Sequence, residues 1–395
     1  MTTELANPQE VSKYATVAAP MVLHVRVVTG NGGGPEKTIL NSPRFLTRLG
    51  YQSKLAYLHP PGDPGIEGLQ ERGQALDAEV LSVPDRGPLD LGVLRRLARI
   101  CRQQRVDIWH AHDYKSNLLG LAIQPLWPCR LVTTLHGWTN MAGRMPLYAK
   151  LDKWSLKYYR AAICVSDDLR EECLRWRVRP ERCHVIHNAI DTDDYRRRRP
   201  RDEAKRELGA PAEGQLLGAV GRLSPEKGFD LLIRAVVRLR QAGRPLHLWI
   251  AGDGPARGDL EQLIDELGCR DFVRLLGHVA DPKLFYEAMD AYVLSSLREG
   301  LPNVVLEAMA LEAPVVATRV AGVPMLVEDG RSGLVVEPGS SDALADGISR
   351  LCTDRPLADR LAQAARERVE ERFSFARRME KIVRIYDHVL GRSTL

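Results

Sequence analysis

The chain has 395 residues, 44% of them apolar and 27% charged, which suits a soluble protein of two ordinary domains, each with its own core. Its formal charge of +5 is gathered in the first half, where it fits an anionic acceptor, an anionic membrane surface or plain solvated helices; no nucleic-acid-binding module accompanies it. No apolar run reaches the roughly 20 residues of a membrane span, and the seven cysteines form no Cys-x-x-Cys pair, which argues for a reducing cytoplasm and against a disulfide or zinc framework.

Residues 1–20 read as a loose tail without a signal peptide. A strand over 21–28 follows, then a glycine-rich turn, a helix over 36–49, and strands over 53–58, 108–111, 131–135 and 161–165. The second half repeats the rhythm. Its strands fall at 215–220, 247–251, 273–276, 291–295 and 314–317, with a helix over 228–242. Strands alternating with helices predict parallel sheets built from βαβ units, so the fold class is α/β. The predicted plan has a tail at 1–20, one Rossmann-like domain at 21–190, and a linker at 191–200 where Arg196-Arg197-Arg198-Arg199-Pro200 breaks the apolar pattern. A second Rossmann-like domain spans 201–375, and a C-terminal helix occupies 376–395. A cleft between the domains is the expected ligand site. The basic, aromatic stretch 145–160 reads either as a membrane-resting segment or, more simply, as the helix before the next strand.

Four clusters carry chemistry. The strand over 291–295 runs into Glu299-Gly300-Leu301-Pro302-Asn303-Val304-Val305-Leu306-Glu307. Pro302 fits the first turn of a helix, with Glu307 inside that helix and Glu299 just before it. A helix N-terminus attracts anions, so the two carboxylates are placed to hold hydroxyls on both sides of a bound phosphate. After the strand over 215–220 come Gly221-Arg222-Leu223-Ser224-Pro225-Glu226-Lys227-Gly228, where Arg222 and Lys227 bracket a turn. A planar bidentate cation plus a point charge is what a nucleotide diphosphate leaving group requires. Gly30-Asn31-Gly32-Gly33-Gly34-Pro35-Glu36-Lys37 sits between strand and helix, where backbone amides approach an anion, and Glu36 orients the loop. Finally, His110-Ala111-His112 and Leu135-His136-Gly137 close two strands. His110 and His112 share a strand face, yet no carboxylate or cysteine at ligand spacing joins them, so no metal is expected. Asp113 reads either as a member of this histidine shell or as the cap of the next helix, and Asp191-Thr192-Asp193 suits a helix cap despite its D-x-D spelling.

In this order, over roughly residues 22–386, the motifs resemble the retaining nucleotide-sugar glycosyltransferases of the GT-B fold, family four. The resemblance implies two Rossmann-like domains facing across a cleft, with the C-terminal helix crossing back to the first. It implies that Arg222 and Lys227 hold the donor diphosphate, that Glu307 holds the ribose hydroxyls, and that Glu299 holds hydroxyls of the transferred sugar. Gly33 and Gly34 would face the donor phosphate. Gly252, His278 and Val279 would line the nucleotide, and Gly300, Leu301, Pro302, Asn303 and Val304 would carry the donor beside the two glutamates. His112 first, and His136 second, would contact the sugar near its reacting carbon. Ile186-His187-Asn188-Ala189-Ile190-Asp191 follows the family's I-x-N-G-I-D, with Ala189 in place of glycine. The implied activity is metal-independent hexosyl transfer with retention, from a UDP- or GDP-sugar to a glycan or lipid-linked acceptor. An envelope or exopolysaccharide role would place the protein in the cytoplasm or at the inner face of the membrane. No cofactor is expected. A non-hydrolysing nucleotide-sugar epimerase, a catalytically silent sugar-nucleotide scaffold and a glycogen-synthase-like elongating enzyme share the fold and stand as alternatives.

Overall fold

The computed structural model describes residues 18–392 other than 31, 33, 88–89 and 137–145. Gly33, expected at the donor phosphate, lies outside the described residues. Two sheets form, as the rhythm predicts. The first has seven strands in the order β3-β2-β1-β4-β5-β6-β7, from β1 (Met21–Val27), β2 (Gln52–His59), β3 (Val80–Pro84), β4 (Ile108–Ala111), β5 (Arg130–Leu135), β6 (Ala161–Cys164) and β7 (Cys183–Val185). The second has six, in the order β10-β9-β8-β11-β12-β13, from β8 (Gln215–Val220), β9 (Leu246–Ala251), β10 (Val273–Gly277), β11 (Ala291–Leu294), β12 (Val315–Thr318) and β13 (Leu334–Val336). The strands of the second sheet pair in parallel throughout, as do β3, β2, β1, β4 and β5 of the first. In each sheet the first strand is central and the order reverses beside it, between β1 and β4 and between β8 and β11. A ligand in an open α/β sheet sits at such a reversal, outside the carboxyl ends of the strands.

The central strands are buried on both faces and mostly apolar, as in a parallel sheet covered by helices on each side, with His24 and His110 as buried polar exceptions in β1 and β4. Val22, Leu23, Val25, Trp109 and Leu131 fill the first core, and Leu217, Ala219, Leu248, Ile250 and Val293 the second; all are buried. The chain divides into two compact units. One comprises Met1–Ile163, Glu171–His184 and Val383–Leu395; the other comprises Cys164–Arg170 and Val185–Ile382. The final helix, Phe375–Leu390, therefore starts in the second unit and finishes in the first. There Tyr51 donates its hydroxyl to Asp387 at 2.7 Å.

The arginine run expected as a linker is held inside the second unit. Arg197 donates to the carbonyls of Leu311 and Glu287, each at 3.0 Å, and Arg199 pairs with Glu287 at 2.9 Å. These arginines tie off backbone carbonyls and one buried acid. Among the described residues, no helix is long and apolar enough to cross a membrane.

Candidate active site

In the second unit, the turn after β8 and the loop after β11 are neighbours because their strands are paired. Gly228 sits between the 3-10 turn Pro225–Lys227 and the helix Phe229–Gln241, with φ of +59°. A Cβ there would lie 2.4 Å from the carbonyl oxygen of Ser295, so only glycine fits. Two bonds fasten the loops together. The Leu297 amide donates to the Glu226 carbonyl at 2.8 Å, and the Ser295 hydroxyl donates to the Lys227 carbonyl at 2.8 Å.

This fastening sets the charged group. Lys227 Nζ lies 2.7 Å from Glu299 Oε1, and the Ser296 hydroxyl donates to the same oxygen at 2.6 Å. Both side chains are mostly sheltered, at 20% and 10% exposure, so the pair keeps more of its attraction than a surface bridge. Arg222 stands exposed in the preceding turn. Glu307 lies inside the helix Asn303–Ala310, is buried, and accepts a bond from the Tyr286 hydroxyl at 3.0 Å. Burial pushes the Tyr286 phenol well above its ordinary value, and the Glu307 charge adds to this, so Tyr286 remains a donor. Pro302 takes the cap position, one residue before the expected first turn. Beside it, Asn303 Oδ1 is buried without a hydrogen-bond partner among the described residues.

The remaining candidates of this unit follow neighbouring strands. Gly252, after β9, has φ of +148°, and a Cβ on it would come within 1.8 Å of the Gly221 carbonyl oxygen. Its amide donates to Gly277 at 2.7 Å, which ties the loops after β9 and β10. His278 is exposed and Val279 half-buried after β10. Gly300 accepts from the Gly322 amide at 3.0 Å, while Leu301 and Val304 are half-buried against the core. The structure thus brings Lys227, Glu299 and Ser296 into contact and sets Arg222, Gly252, His278, Val279 and Glu307 on the carboxyl ends of adjacent strands.

In the first unit, His112 is buried after β4, and each of its ring nitrogens meets another imidazole. Nε2 lies 2.9 Å from His24 Nδ1, and Nδ1 lies 3.2 Å from His136 Nε2. His136 is the half-exposed member. His110 meets the Tyr386 hydroxyl at 2.5 Å and Thr134 Oγ1 at 2.7 Å. The nitrogens of His24, His110 and His112 come within 4.8 Å of one another, close enough to consider a metal ion. Both nitrogens of His110 and of His112 are engaged with protein groups, however, so an ion would have to displace existing bonds. Glu36 is buried and ion-paired with Arg26, whose guanidinium also donates to the His112 carbonyl at 3.1 Å. Gly34 opens the helix Gly34–Arg48. Asp113 caps the helix Tyr114–Ile123 in a capping box with Ser116. Asp191 Oδ1 accepts from the amides of Asp193 and Asp194, which makes the D-x-D a local turn.

Sequence reasoning missed Ser296, Tyr286, Asn303 as an orphaned acceptor, and His24. His24 joins the cluster only through strand pairing, since it lies in β1 in direct register with His110 of β4. Ser296 and Tyr286 likewise act across elements, so no local pattern announces them.

Comparisons with known proteins agree with this layout. The model of the glycosyltransferase family 4 domain matches residues 32–194, and that of glycosyl transferases group 1 matches residues 200–368. The chain is 34% identical over 255 residues to the lipopolysaccharide core biosynthesis glycosyltransferase LpsD of Rhizobium meliloti, covering 61% of this chain and 71% of that protein. It is 28% identical over 393 residues to a D-inositol 3-phosphate glycosyltransferase of Corynebacterium aurimucosum, covering 91% of each. A crystal structure of Anabaena HepE in complex with UDP superposes with a TM-score of 0.78 at 23% identity, over 93% of this chain and all of that one. With two parallel-sheet Rossmann-like units under these two matches, the chain belongs to the glycosyltransferases of the GT-B fold, a family 4 domain followed by a group 1 domain.

Proposed function

We propose that this glycosyltransferase is retaining and metal-independent, and that it moves a hexosyl group from a UDP- or GDP-sugar to a glycan or lipid-linked acceptor of envelope or exopolysaccharide synthesis. The observation that carries the reading is the Lys227–Glu299–Ser296 contact at the reversal between β8 and β11. A sheltered cation beside a carboxylate supports the reading of Lys227 as a partner of the leaving diphosphate and of Glu299 as a partner of sugar hydroxyls. As the donor C1–O bond loosens, charge grows on the diphosphate, and Arg222 and Lys227 are the preorganised groups that stabilise it. The phosphate then takes the acceptor proton on the face it leaves, so neither Glu299 nor Glu307 needs to be a nucleophile. Glu307 holds ribose hydroxyls, and the backbone around His278 and Val279 reads the base. His112, expected first at the transferred sugar, is buried with both ring nitrogens engaged by other imidazoles, so the sugar contact passes to the half-exposed His136, with His112 behind it. Contact with an anionic membrane surface through the basic first unit belongs to the same reading.

The test is a panel of UDP-, GDP- and ADP-sugars incubated with purified protein and a chelator, following release of nucleotide diphosphate and the anomeric form of the product. Release from one donor with chelator present, with an α-linked product from an α-linked donor, is the expected result. Release only on adding a divalent ion, an inverted product, or an epimerised donor without transfer would each refute the reading.

A further inference from the structure

His24 of β1, His112 after β4 and His136 after β5 form a series. The two nitrogen pairs are 2.9 and 3.2 Å apart. Ring centroids are 5.2 and 5.5 Å apart, with planes tilted by 26° and 29°, so these rings meet edge to edge along their hydrogen bonds. His110 is placed differently. Its centroid is only 4.4 Å from that of His112, so it stacks on the ring and sends its own nitrogens to Tyr386 and Thr134.

A neutral imidazole has one N–H and one lone pair. Both nitrogens of His112 are used in the series, so its tautomer dictates both neighbours. With the proton on Nε2, His112 donates to His24 Nδ1, which leaves His24 protonated on Nε2. His112 Nδ1 then accepts from Nε2–H of His136. With the proton on Nδ1, every assignment reverses: His24 donates from Nδ1, and His136 accepts at Nε2 and carries its proton on Nδ1. In both states the three rings share one tautomer. A mixed series would set two lone pairs or two N–H groups against each other in a buried place, which is costly at low dielectric.

The series requires a neutral centre, and the surroundings supply one. His110, His24, His136 and Arg26 face His112, and burial is the first cause that holds its imidazole well below the ordinary value. The nearby carboxylates are committed elsewhere. Glu36 pairs with Arg26, and Asp113 accepts from the amides of Val27, Lys115 and Ser116.

We propose that His24 and His112 are positioning residues that impose their own tautomer on His136, so that the polarity this half-exposed ring offers the transferred sugar is set by the buried rings and not by the sugar. The proposal rests on the reading of His136 as the sugar contact. Its test is the set of long-range nitrogen–proton imidazole spectra of the full-length, nitrogen-15-labelled protein near pH 7.5 without substrate. His24, His112 and His136 are expected in one common neutral tautomer. In His24→Phe, the His136 signals move towards a mixture of both tautomers, while His110, whose nitrogens are held by Tyr386 and Thr134, keeps its own tautomer.

Different tautomers for His112 and His136, a doubly protonated His112, or an unmoved His136 in folded His24→Phe would overturn the proposal. If His24→Phe does not fold, the wild-type spectrum alone decides. Because the spectra need no substrate, they are independent of the functional reading. Shared tautomers together with unchanged donor turnover in His136→Gln would instead remove His136 as the sugar contact.

Discussion

At the scale of single residues, the site combines groups legible in the sequence with partners that were not. Glu299, Glu307, Arg222 and Lys227 stand out because fixed spacing in one segment maps onto one turn or one helix end. Ser296, Tyr286 and His24 do not, because each reaches its partner through strand pairing or packing that no local pattern encodes. The Lys227–Glu299 pair leads to a sharp expectation. Lys227→Ala removes a preorganised cation from the leaving group and leaves a sheltered carboxylate in its place, so kcat for donor turnover should fall by about 2–4 kcal/mol in barrier. Arg222→Ala should fall on the same scale, and steady-state kinetics on the preferred donor reads both. Unchanged turnover in both variants would strike them from the leaving-group role. Glu307→Gln keeps size and can still pair with Tyr286, but it loses the charge. Hydrogen bonds to charged groups contribute about 1.5–3 kcal/mol, so the donor KM should rise by roughly tenfold or more while kcat changes less. A calorimetric titration with the nucleoside diphosphate would show the same loss if Glu307 holds the ribose.

At the scale of elements, the central strands β1, β4, β8 and β11 were readable because burial on both faces makes them nearly continuous apolar runs. The strands that escaped are β3, β7 and β13, and each lies at a sheet edge. Edge strands are short and face solvent on one side, so their apolar signal is thin; β7 and β13 have three residues each. Loop glycines separate backbone need from mere punctuation. Gly252→Ala would drive a Cβ into the Gly221 carbonyl at a positive φ, and should cost more than about 1 kcal/mol in urea unfolding. Gly258, in the helix Arg257–Glu266, has nothing within 4 Å of an added Cβ. Gly258→Ala should therefore stabilise by up to about 1 kcal/mol. Equal effects from the two substitutions would mean that the close approach at Gly252 does not constrain the loop.

At the scale of the whole molecule, the buried imidazole cluster ties stability to pH. His112 is held well below its ordinary value by burial first and its imidazole neighbours next. The unfolded chain therefore binds a proton that the folded chain refuses. The contribution is present above the unfolded value of about 6.5 and is lost as pH falls below it, by up to about 1.4 kcal/mol per pH unit for this one ring. Thermal midpoints measured from pH 7.5 down to 5.5 should decline, and His112→Gln should flatten that decline. A profile with the same slope in both proteins would locate the acid sensitivity elsewhere.

The return of the chain to its first unit has a consequence for biosynthesis. Tyr386, the 2.5 Å partner of His110, belongs to the first unit but lies beyond Val383, after the entire second unit. At about 5–20 residues per second, roughly ten to forty seconds separate the emergence of β7 from that of Tyr386. Throughout that interval the nascent first unit must keep its imidazole core without the hydroxyl that will close it. A ribosome-stalled chain ending before residue 383 should show faster amide exchange around His110 than the released protein. Completion of the oldest part of the molecule waits on its newest.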